Sequence, residues 1–222
     1  MTHHTFRELH PWDVPPAEGR AIQERLQERL VLEDDFGELR TVAGVDVGFE
    51  DKGQTARAAV AVLSFPRLEP LAHAIARQPT RMPYIPGLLS FREIPVVLEA
   101  LQQLDTLPDI ILCDGQGIAH PRRMGIACHL GLITGLPTIG VGKTRLVGEH
   151  DPVPDQKGAH VSLVHQGETV GAVLRTRQGV KPIFVSPGHR VSLESSIRIV
   201  MDCVTRYKLP ETTRAAHHLA SG

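Results

Sequence analysis

The strongest constraint on the fold of this 222-residue chain is a change of pattern after Pro79. Before it, three β-rich runs at 39–49, 56–65 and 68–79 follow one another through short turns such as EDKGQ. Short turns between successive strands predict an antiparallel meander. After it, strand-like runs alternate with segments whose apolar residues have helical spacing. This alternation predicts parallel pairing through right-handed crossovers.

The complete pattern predicts a mixed α/β domain over residues 1–222, with an antiparallel meander, parallel strands and helices on both faces of the sheet. The predicted helices lie at 14–31, 92–104, 122–135 and 193–207. The predicted later strands are 108–117, 137–143, HVSLVH, ETVGAVLRT and KPIFVSPG.

Composition narrows the class of protein. Hydrophobic residues make up 41% of the chain, which is enough for one well-buried core. The chain has 24 Lys and Arg and 25 Asp and Glu, so its charges nearly cancel and a polyanion must be held by a local basic patch. The three cysteines form no CxxC pair and are expected to be buried. The N-terminal stretch MTHHTFRELHPWD lacks the pattern of a signal peptide. No apolar run reaches the ~18 residues of a membrane span. We expect a cytoplasmic monomer that has no membrane as a partner.

Two aspartates stand where a carboxylate is unusual. Asp46 interrupts the apolar run VAGVDVGF, and Asp114 ends the run DIILC. A buried carboxylate costs several kcal/mol unless it is paired, hydrogen-bonded or metal-bound. Taken alone, Asp46 also fits a structural role, and Asp114 also fits a plain turn. If the two strands are neighbours, these carboxylates converge, and Glu93 can add a third oxygen. Such a cluster suits Mg²⁺ or Mn²⁺ and metal-assisted phosphodiester hydrolysis.

The segment DGQGIAHPRRMG joins glycines, a histidine and two arginines. Gly115 and Gly117 allow the backbone to approach a ligand closely. Arg122 opens the predicted helix and is placed either to bind phosphate or to be solvated. Lys143 in GVGKTR is not part of a P-loop, because Pro137 stands where that loop needs glycine. It suits the stabilisation of a phosphate instead.

The segment MPYIPGLLSFRE, residues 82–93, predicts a stiff exposed turn. Pro83 and Pro86 fix their own φ angles and cannot donate to a strand ladder. Between them lie Tyr84 and Ile85. Rigid loops that carry apolar wedges separate or unstack bases, and enzymes that read a damaged base commonly flip it into a pocket. The alternative is that Tyr84 packs into the core.

The chain resembles the endonuclease V family in five blocks: GVDVGF, MPYIPGLLSFRE, DGQGIAHPRRMGIACHLG, GVGKTRL and VSPGHRVSLESS. They occur in the family's order and spacing, and the resemblance extends from about residue 14 to about residue 218. It implies an RNase H-like fold. It also implies a Mg²⁺-dependent endonuclease that recognises deoxyinosine, the product of adenine deamination, in single- or double-stranded DNA. Family members hydrolyse the second phosphodiester bond 3′ to the lesion, leaving 3′-hydroxyl and 5′-phosphate ends.

The resemblance also implies roles for individual residues. The metal ligands are matched by Asp46, Asp114 and Glu93, with Mg²⁺ as cofactor and Mn²⁺ as a substitute. Lys143 matches the active-site lysine, and His217 in RAAHHL matches a histidine near the metal and the attacking water. The strand-separating wedge is matched by Pro83, Tyr84, Ile85 and Pro86. The lesion pocket and its rim are matched by Gly87, Leu89, Gly115 and His120.

Three other functions fit part of the sequence. GVDVGF resembles the first phosphate loop of actin-like kinases and ATPases, but those need duplicated subdomains that 222 residues hardly hold. A non-catalytic nucleic-acid-binding module would have no use for the acidic set of Asp46, Glu93 and Asp114. Inosine-containing RNA remains an alternative substrate, because discrimination of the 2′-hydroxyl depends on pocket geometry.

Overall fold

A computed structural model describes residues 4–222, in which one eight-stranded sheet is packed with five α-helices. The strands are β1 (Thr41–Glu50), β2 (Thr55–Ser64), β3 (Pro70–Pro79), β4 (Ile110–Asp114), β5 (Thr138–Gly142), β6 (His160–His165), β7 (Glu168–Leu174) and β8 (Ile183–His189). The helices are α1 (Pro16–Leu26), α2 (Leu89–Gln102), α3 (Ile126–Thr134), α4 (Leu193–Asp202) and α5 (Glu211–Ser221).

The sheet confirms both halves of the predicted pattern. Its order is β3-β2-β1-β4-β5-β8-β7-β6. Strands β1, β2 and β3 form the antiparallel meander, whereas β1, β4 and β5 are parallel neighbours. Helix α3 makes the crossover between β4 and β5. The central position of β1 beside β4 brings the meander and the parallel strands together.

Alternation along the central strands divides their side chains between two cores. Val45 and Cys113 belong to a core beneath α2 and α3. Val42 and Leu112 belong to a core on the opposite face, beneath α4. Each fully buried aliphatic side chain stabilises the fold by about 1.5–3 kcal/mol. Because α2 and α3 lie over one core and α4 over the other, helices cover both faces of the sheet, as expected.

Helix α5, which the sequence pattern did not predict, packs unusually close to β1. Gly44 and Gly48 make this possible, because a Cβ on Gly44 would lie 2.0 Å from the carbonyl oxygen of Thr212. A Cβ on Gly48 would lie 2.4 Å from the carbonyl oxygen of Ala220. Side chains two residues apart share a face of a strand, so Asp46, between the glycines, faces α5 as well.

The helix predicted at 122–135 begins only at Ile126, which corrects the expected position of Arg122. Arg123 has a φ of 57°, a left-handed conformation that interrupts a helix, and Gly125 is the N-cap. Arg122 consequently lies in the preceding turn. Its guanidinium donates to Gln23 and to the Gly87 carbonyl oxygen.

The cysteines are free and buried, as predicted for small apolar residues: Cys113, Cys128 and Cys203. Burial raises the pKa of the Cys203 thiol to about 12, so this thiol stays protonated at neutral pH. Across residues 4–222, no helix combines the length and apolar character needed to cross a membrane.

Candidate active site

The two aspartates singled out in the sequence are neighbours across the parallel β1–β4 pair. Val45 lies opposite Cys113, so Asp46 and Asp114 follow one position later on adjacent strands. The side chain of Asp114 lies on the same face of the sheet as that of Leu112, two residues earlier. The two carboxylates therefore lie on the same side of the sheet. Their side chains are 14% and 16% exposed. One mostly buried place thus holds two carboxylates.

Negative charge accumulates at this place. Burial, and next the negative charge of Asp114, raise the pKa of Asp46 against the opposing hydrogen bonds that it accepts from His217 and the Val47 N–H. Lys143 donates from Nζ to Asp114 Oδ2 at 2.5 Å. The lysine offsets one carboxylate, and a bound cation would relieve the remaining repulsion.

Helix α5 contributes a histidine to the same place. His217 Nδ1 lies 2.7 Å from Asp46 Oδ2. One ligand-type atom each from Asp46, Asp114 and His217 all lie within 4.8 Å of one another. Of the two adjacent histidines in RAAHHL, it is therefore His217 that joins the carboxylates. The two carboxylates supply the oxygen ligands that suit Mg²⁺ or Mn²⁺, and the imidazole of His217 lies beside them.

Glu93 lies at the edge of this cluster. It is on α2, 9% exposed, and it does not belong to the three residues whose donor atoms are mutually within 4.8 Å. Burial, and then the negative charge of Asp46, raise the pKa of Glu93 to about 8, with a further contribution from Asp114. Glu93 therefore adds a third acidic group next to the two aspartates, outside the set of donor atoms that lie together.

A cavity of about 380 Å³ opens beside the carboxylates. Asp114 forms part of its wall, so the acidic cluster and the cavity share this residue, and Lys143, the partner of Asp114, lines the cavity as well. The rest of its wall includes Tyr84, Gly87, Leu89, Ser90, Gly115, Gln116, His120, Met124, Ile126, Thr144, Arg145 and Leu146. Its size falls within the range typical of small-molecule sites.

The proline loop, residues 82–88, is held at its base by one carbonyl group. The Gly87 oxygen accepts hydrogen bonds from Gln23 Nε2 at 2.8 Å, His120 Nε2 at 2.9 Å and Arg122 Nη2 at 3.1 Å. Arg122 Nε also donates to Gln23 Oε1 at 2.6 Å. This closed network attaches the base of the loop to α1 and to the turn before α3.

The two apolar residues of the loop have different environments. Tyr84 is 59% exposed and lies at the mouth of the cavity. Ile85 instead packs against the buried cluster that includes Leu88 and Phe91. The structure therefore leaves one aromatic ring projecting, with the isoleucine as its anchor.

Comparisons with known proteins identify the family. The family model described as Endonuclease V matches residues 24–218. An endonuclease V of Roseiflexus castenholzii is 59% identical over 212 residues, which cover 96% of this chain and 95% of that protein. The chain belongs to the endonuclease V family.

Solved structures of endonuclease V agree with this assignment. The enzyme of Streptomyces avermitilis matches with a TM-score of 0.90 and 42% identity, over 95% of this chain and 93% of that one. The enzyme of Ciona intestinalis, solved in complex with a 23-mer DNA containing an inosine followed by a ribo-adenosine, matches with a TM-score of 0.82 and 29% identity over 92% and 95% of the chains. The fold is RNase H-like, and the chain is a nuclease of a metal-dependent family.

Some of the predicted site residues lie away from the cavity wall. Gly117 is buried behind it, where its N–H donates to Ser186 Oγ at 2.8 Å. Arg122 is engaged by Gln23 and Gly87. The other loop positions, Pro83, Ile85 and Pro86, support Tyr84. The predicted residues that do line the cavity are Tyr84, Gly87, Leu89, Asp114, Gly115, His120 and Lys143.

The sequence did not indicate several residues of the site. Gln116 and Arg145 line the cavity and lie inside the DGQG and GVGKTR blocks, so a closer reading of those blocks would have included them. Ser90 also lies in a recognised block. Gln23 gave no signal beyond being a polar residue in an amphipathic helix, and only its buried contact with the proline loop shows its importance.

We expect acid to destabilise the protein through His120. Burial lowers the pKa of this histidine to about 4, so the unfolded chain binds more protons than the folded one between roughly pH 6.5 and pH 4. Stability should fall as the pH drops through this window, by up to about 3 kcal/mol from this group. Urea unfolding at pH 7, 6, 5 and 4 measures the fall, and His120→Gln should reduce it. The exposed His160→Gln is the control, and equal slopes in wild type and His120→Gln would contradict the expectation.

Proposed function

We propose that this chain is a DNA repair endonuclease that recognises deoxyinosine and hydrolyses the second phosphodiester bond 3′ to it, leaving 3′-hydroxyl and 5′-phosphate ends. One observation carries the proposal: Asp114 belongs both to the carboxylate–histidine cluster and to the wall of the cavity. A base held in the cavity and a phosphate at the cluster would therefore be neighbours on one strand. The Ciona relative, crystallised with inosine-containing DNA, supports the same class of substrate.

The cluster fits the divalent cation that the family requires. Asp46 and Asp114 would hold Mg²⁺, or Mn²⁺ in its place, with Glu93 completing the set and His217 beside it. When bound, such a cation polarises the scissile phosphate and lowers the pKa of water. The fit rests on the carboxylates themselves: burial, and next the negative charge of a neighbouring aspartate, raise the pKa of Asp46 and of Glu93. A bound cation would favour the ionised form of both groups and so stabilise the cluster.

The protein groups around the cluster have separate tasks in hydrolysis. His217 donates from Nδ1 to Asp46, which leaves Nε2 with a lone pair that can accept a proton from the attacking water. Lys143 can donate from Nζ, now held by Asp114, to the phosphate as negative charge develops. Because Lys143 also lines the cavity, it connects base binding with the reaction.

The cavity suits a base that has left its stack. Tyr84 projects at its mouth from a loop held by the Gly87 network, so the ring can fill the gap left by the extruded base without reorganising. Deaminated base pairs are weaker than normal pairs, and this lowers the free energy needed for extrusion.

The test is cleavage of a 5′-labelled duplex with one deoxyinosine, beside the same duplex with deoxyadenosine. With Mg²⁺ we expect one nick at the second phosphodiester bond 3′ to inosine, no nick in the adenine duplex, and no nick with chelator. A third strand carries a ribonucleotide 3′ to inosine, and an all-RNA strand tests the alternative substrate. Cleavage of both DNA duplexes alike, or undiminished cleavage with chelator, would overturn the proposal.

Tyr84→Ala should weaken recognition of inosine in duplex DNA more than it slows hydrolysis. We expect KM for an inosine duplex to rise about tenfold, in line with ~1–3 kcal/mol for an aromatic ring stacked on a base, with a smaller change in kcat. Tyr84→Phe is the matched control and should stay close to wild type. Steady-state cleavage of duplex and single-stranded inosine substrates measures both. An equal loss on the two substrates would argue against a role in separating strands.

A further inference from the structure

A series of hydrogen bonds, exposed at Pro11 and buried at Ser90, leads from the N-terminal segment to the cavity wall. Ser90, in the first turn of α2, lines the cavity and places Oγ 2.8 Å from His129 Nδ1. His129 is fully buried, and its Nε2 lies 2.6 Å from His10 Nε2. His10 Nδ1 lies 2.8 Å from the carbonyl oxygen of Pro11. The rings of Trp12 and Phe91 pack around both histidines.

The Pro11 carbonyl group, at one end of this series of hydrogen bonds, fixes the direction of every hydrogen bond in the series. The Pro11 carbonyl can only accept, so His10 carries its proton on Nδ1 and its Nε2 is an acceptor. His129 must then donate from Nε2. Burial lowers the pKa of both histidines, so each is neutral and has one ring proton. His129 Nδ1 is therefore an acceptor, and Ser90 donates its only hydroxyl proton to it.

We propose that Ser90 is a specificity-determining residue whose hydroxyl oxygen, with its proton committed to His129, accepts a hydrogen bond from the ring N–H of the bound base. The inference rests on the proposed function and deepens it. N1–H is the sole N–H group of hypoxanthine in a nucleoside. Adenine has a lone pair at N1, which would face the lone pairs of the Ser90 oxygen. A serine free to rotate would offer its proton to adenine, whereas this one cannot.

The test compares Ser90→Ala with wild type on two strands that differ in one base. One strand carries hypoxanthine, and the other carries unsubstituted purine, which has no N1–H. We expect Ser90→Ala to lower the ratio of kcat/KM for hypoxanthine over purine by about tenfold, the loss of roughly one hydrogen bond. General loosening of the site affects both strands and cancels in the ratio. An unchanged ratio would overturn the proposal.

His10 and His129 are positioning residues in this scheme, because they act through Ser90. His10→Phe keeps a ring between Trp12 and Phe91 but removes the acceptor for His129. We expect it to lower the same ratio by a few-fold while thermal unfolding changes little. Nitrogen-15 NMR of wild type should show His129 unprotonated at Nδ1. A protonated Nδ1 would overturn the proposed direction of the series.

The same base ratio is also measured as binding affinity, by fluorescence anisotropy with chelator present. If wild type fails to nick inosine DNA yet binds the hypoxanthine strand more tightly than the purine strand through Ser90, the proposed reaction is wrong and the recognition stands. If wild type nicks inosine DNA but Ser90→Ala leaves both ratios unchanged, the reaction stands and the role of Ser90 is wrong.

Discussion

Asp114→Asn should reduce Mg²⁺-dependent cleavage of inosine DNA by at least about a thousandfold, because it removes a cation ligand from the point where the cluster meets the cavity. The substitution should leave the fold intact. Asp114 raises the pKa of Asp46 and Glu93, so a neutral amide at this position relieves repulsion in the metal-free protein. Activity is therefore expected to collapse while the metal-free Tm stays the same or rises.

Two measurements separate this expectation from simple damage. Mg²⁺ or Mn²⁺ should raise the Tm of wild type by binding the folded state, and it should leave the Tm of Asp114→Asn unchanged. Asp105→Asn, at an exposed aspartate outside the cluster, serves as the matched control and should keep both cleavage and the metal-dependent Tm. Retained nicking in Asp114→Asn, or a cation response equal to that of wild type, would refute the assignment of this carboxylate as a ligand.

The sequence predicted the part of the site that depends on local pattern. Asp46 and Asp114 were expected to converge if their strands were neighbours, and the observed register, with each aspartate one position after the Val45–Cys113 pair, puts both on one face of the sheet. The stiffness of the proline loop also followed from residues 83 and 86 alone. In both cases the decisive physics acts between residues that are adjacent in sequence or on neighbouring strands.

What the sequence did not show depends on close or distant packing. Helix α5 presents Thr212, Ala216 and Ala220 to the sheet, and these small residues give little apolar periodicity. The short distance between α5 and β1 requires small residues. Because small residues give little apolar periodicity, the helix could not be predicted from the sequence pattern. Gln23 is another such case. It lies 64 residues from its partner Gly87, and no local pattern indicates that contact.

Gly44→Ala should displace α5 from β1 and thereby disconnect His217 from Asp46. The new Cβ would lie 2.0 Å from the Thr212 oxygen, 2.4 Å from the Thr212 carbonyl carbon and 3.0 Å from the Thr213 nitrogen. All three are backbone atoms, so no side-chain rotation can relieve the overlap and the whole helix must move. We expect the free energy of unfolding to fall by about 3 kcal/mol, the upper part of the range for overpacked cores, and cleavage to fall with it.

Matched variants separate the movement of the helix from the loss of the imidazole. Gly37→Ala introduces the same methyl group where no atom lies within 4 Å, and it should leave unfolding and cleavage unchanged. His217→Ala removes the ring without changing the contact between α5 and β1, so it should reduce cleavage with little change in urea unfolding. Gly44→Ala should do both. Wild-type stability in Gly44→Ala would show that α5 does not need this close approach, and the place of His217 beside Asp46 would then require another explanation.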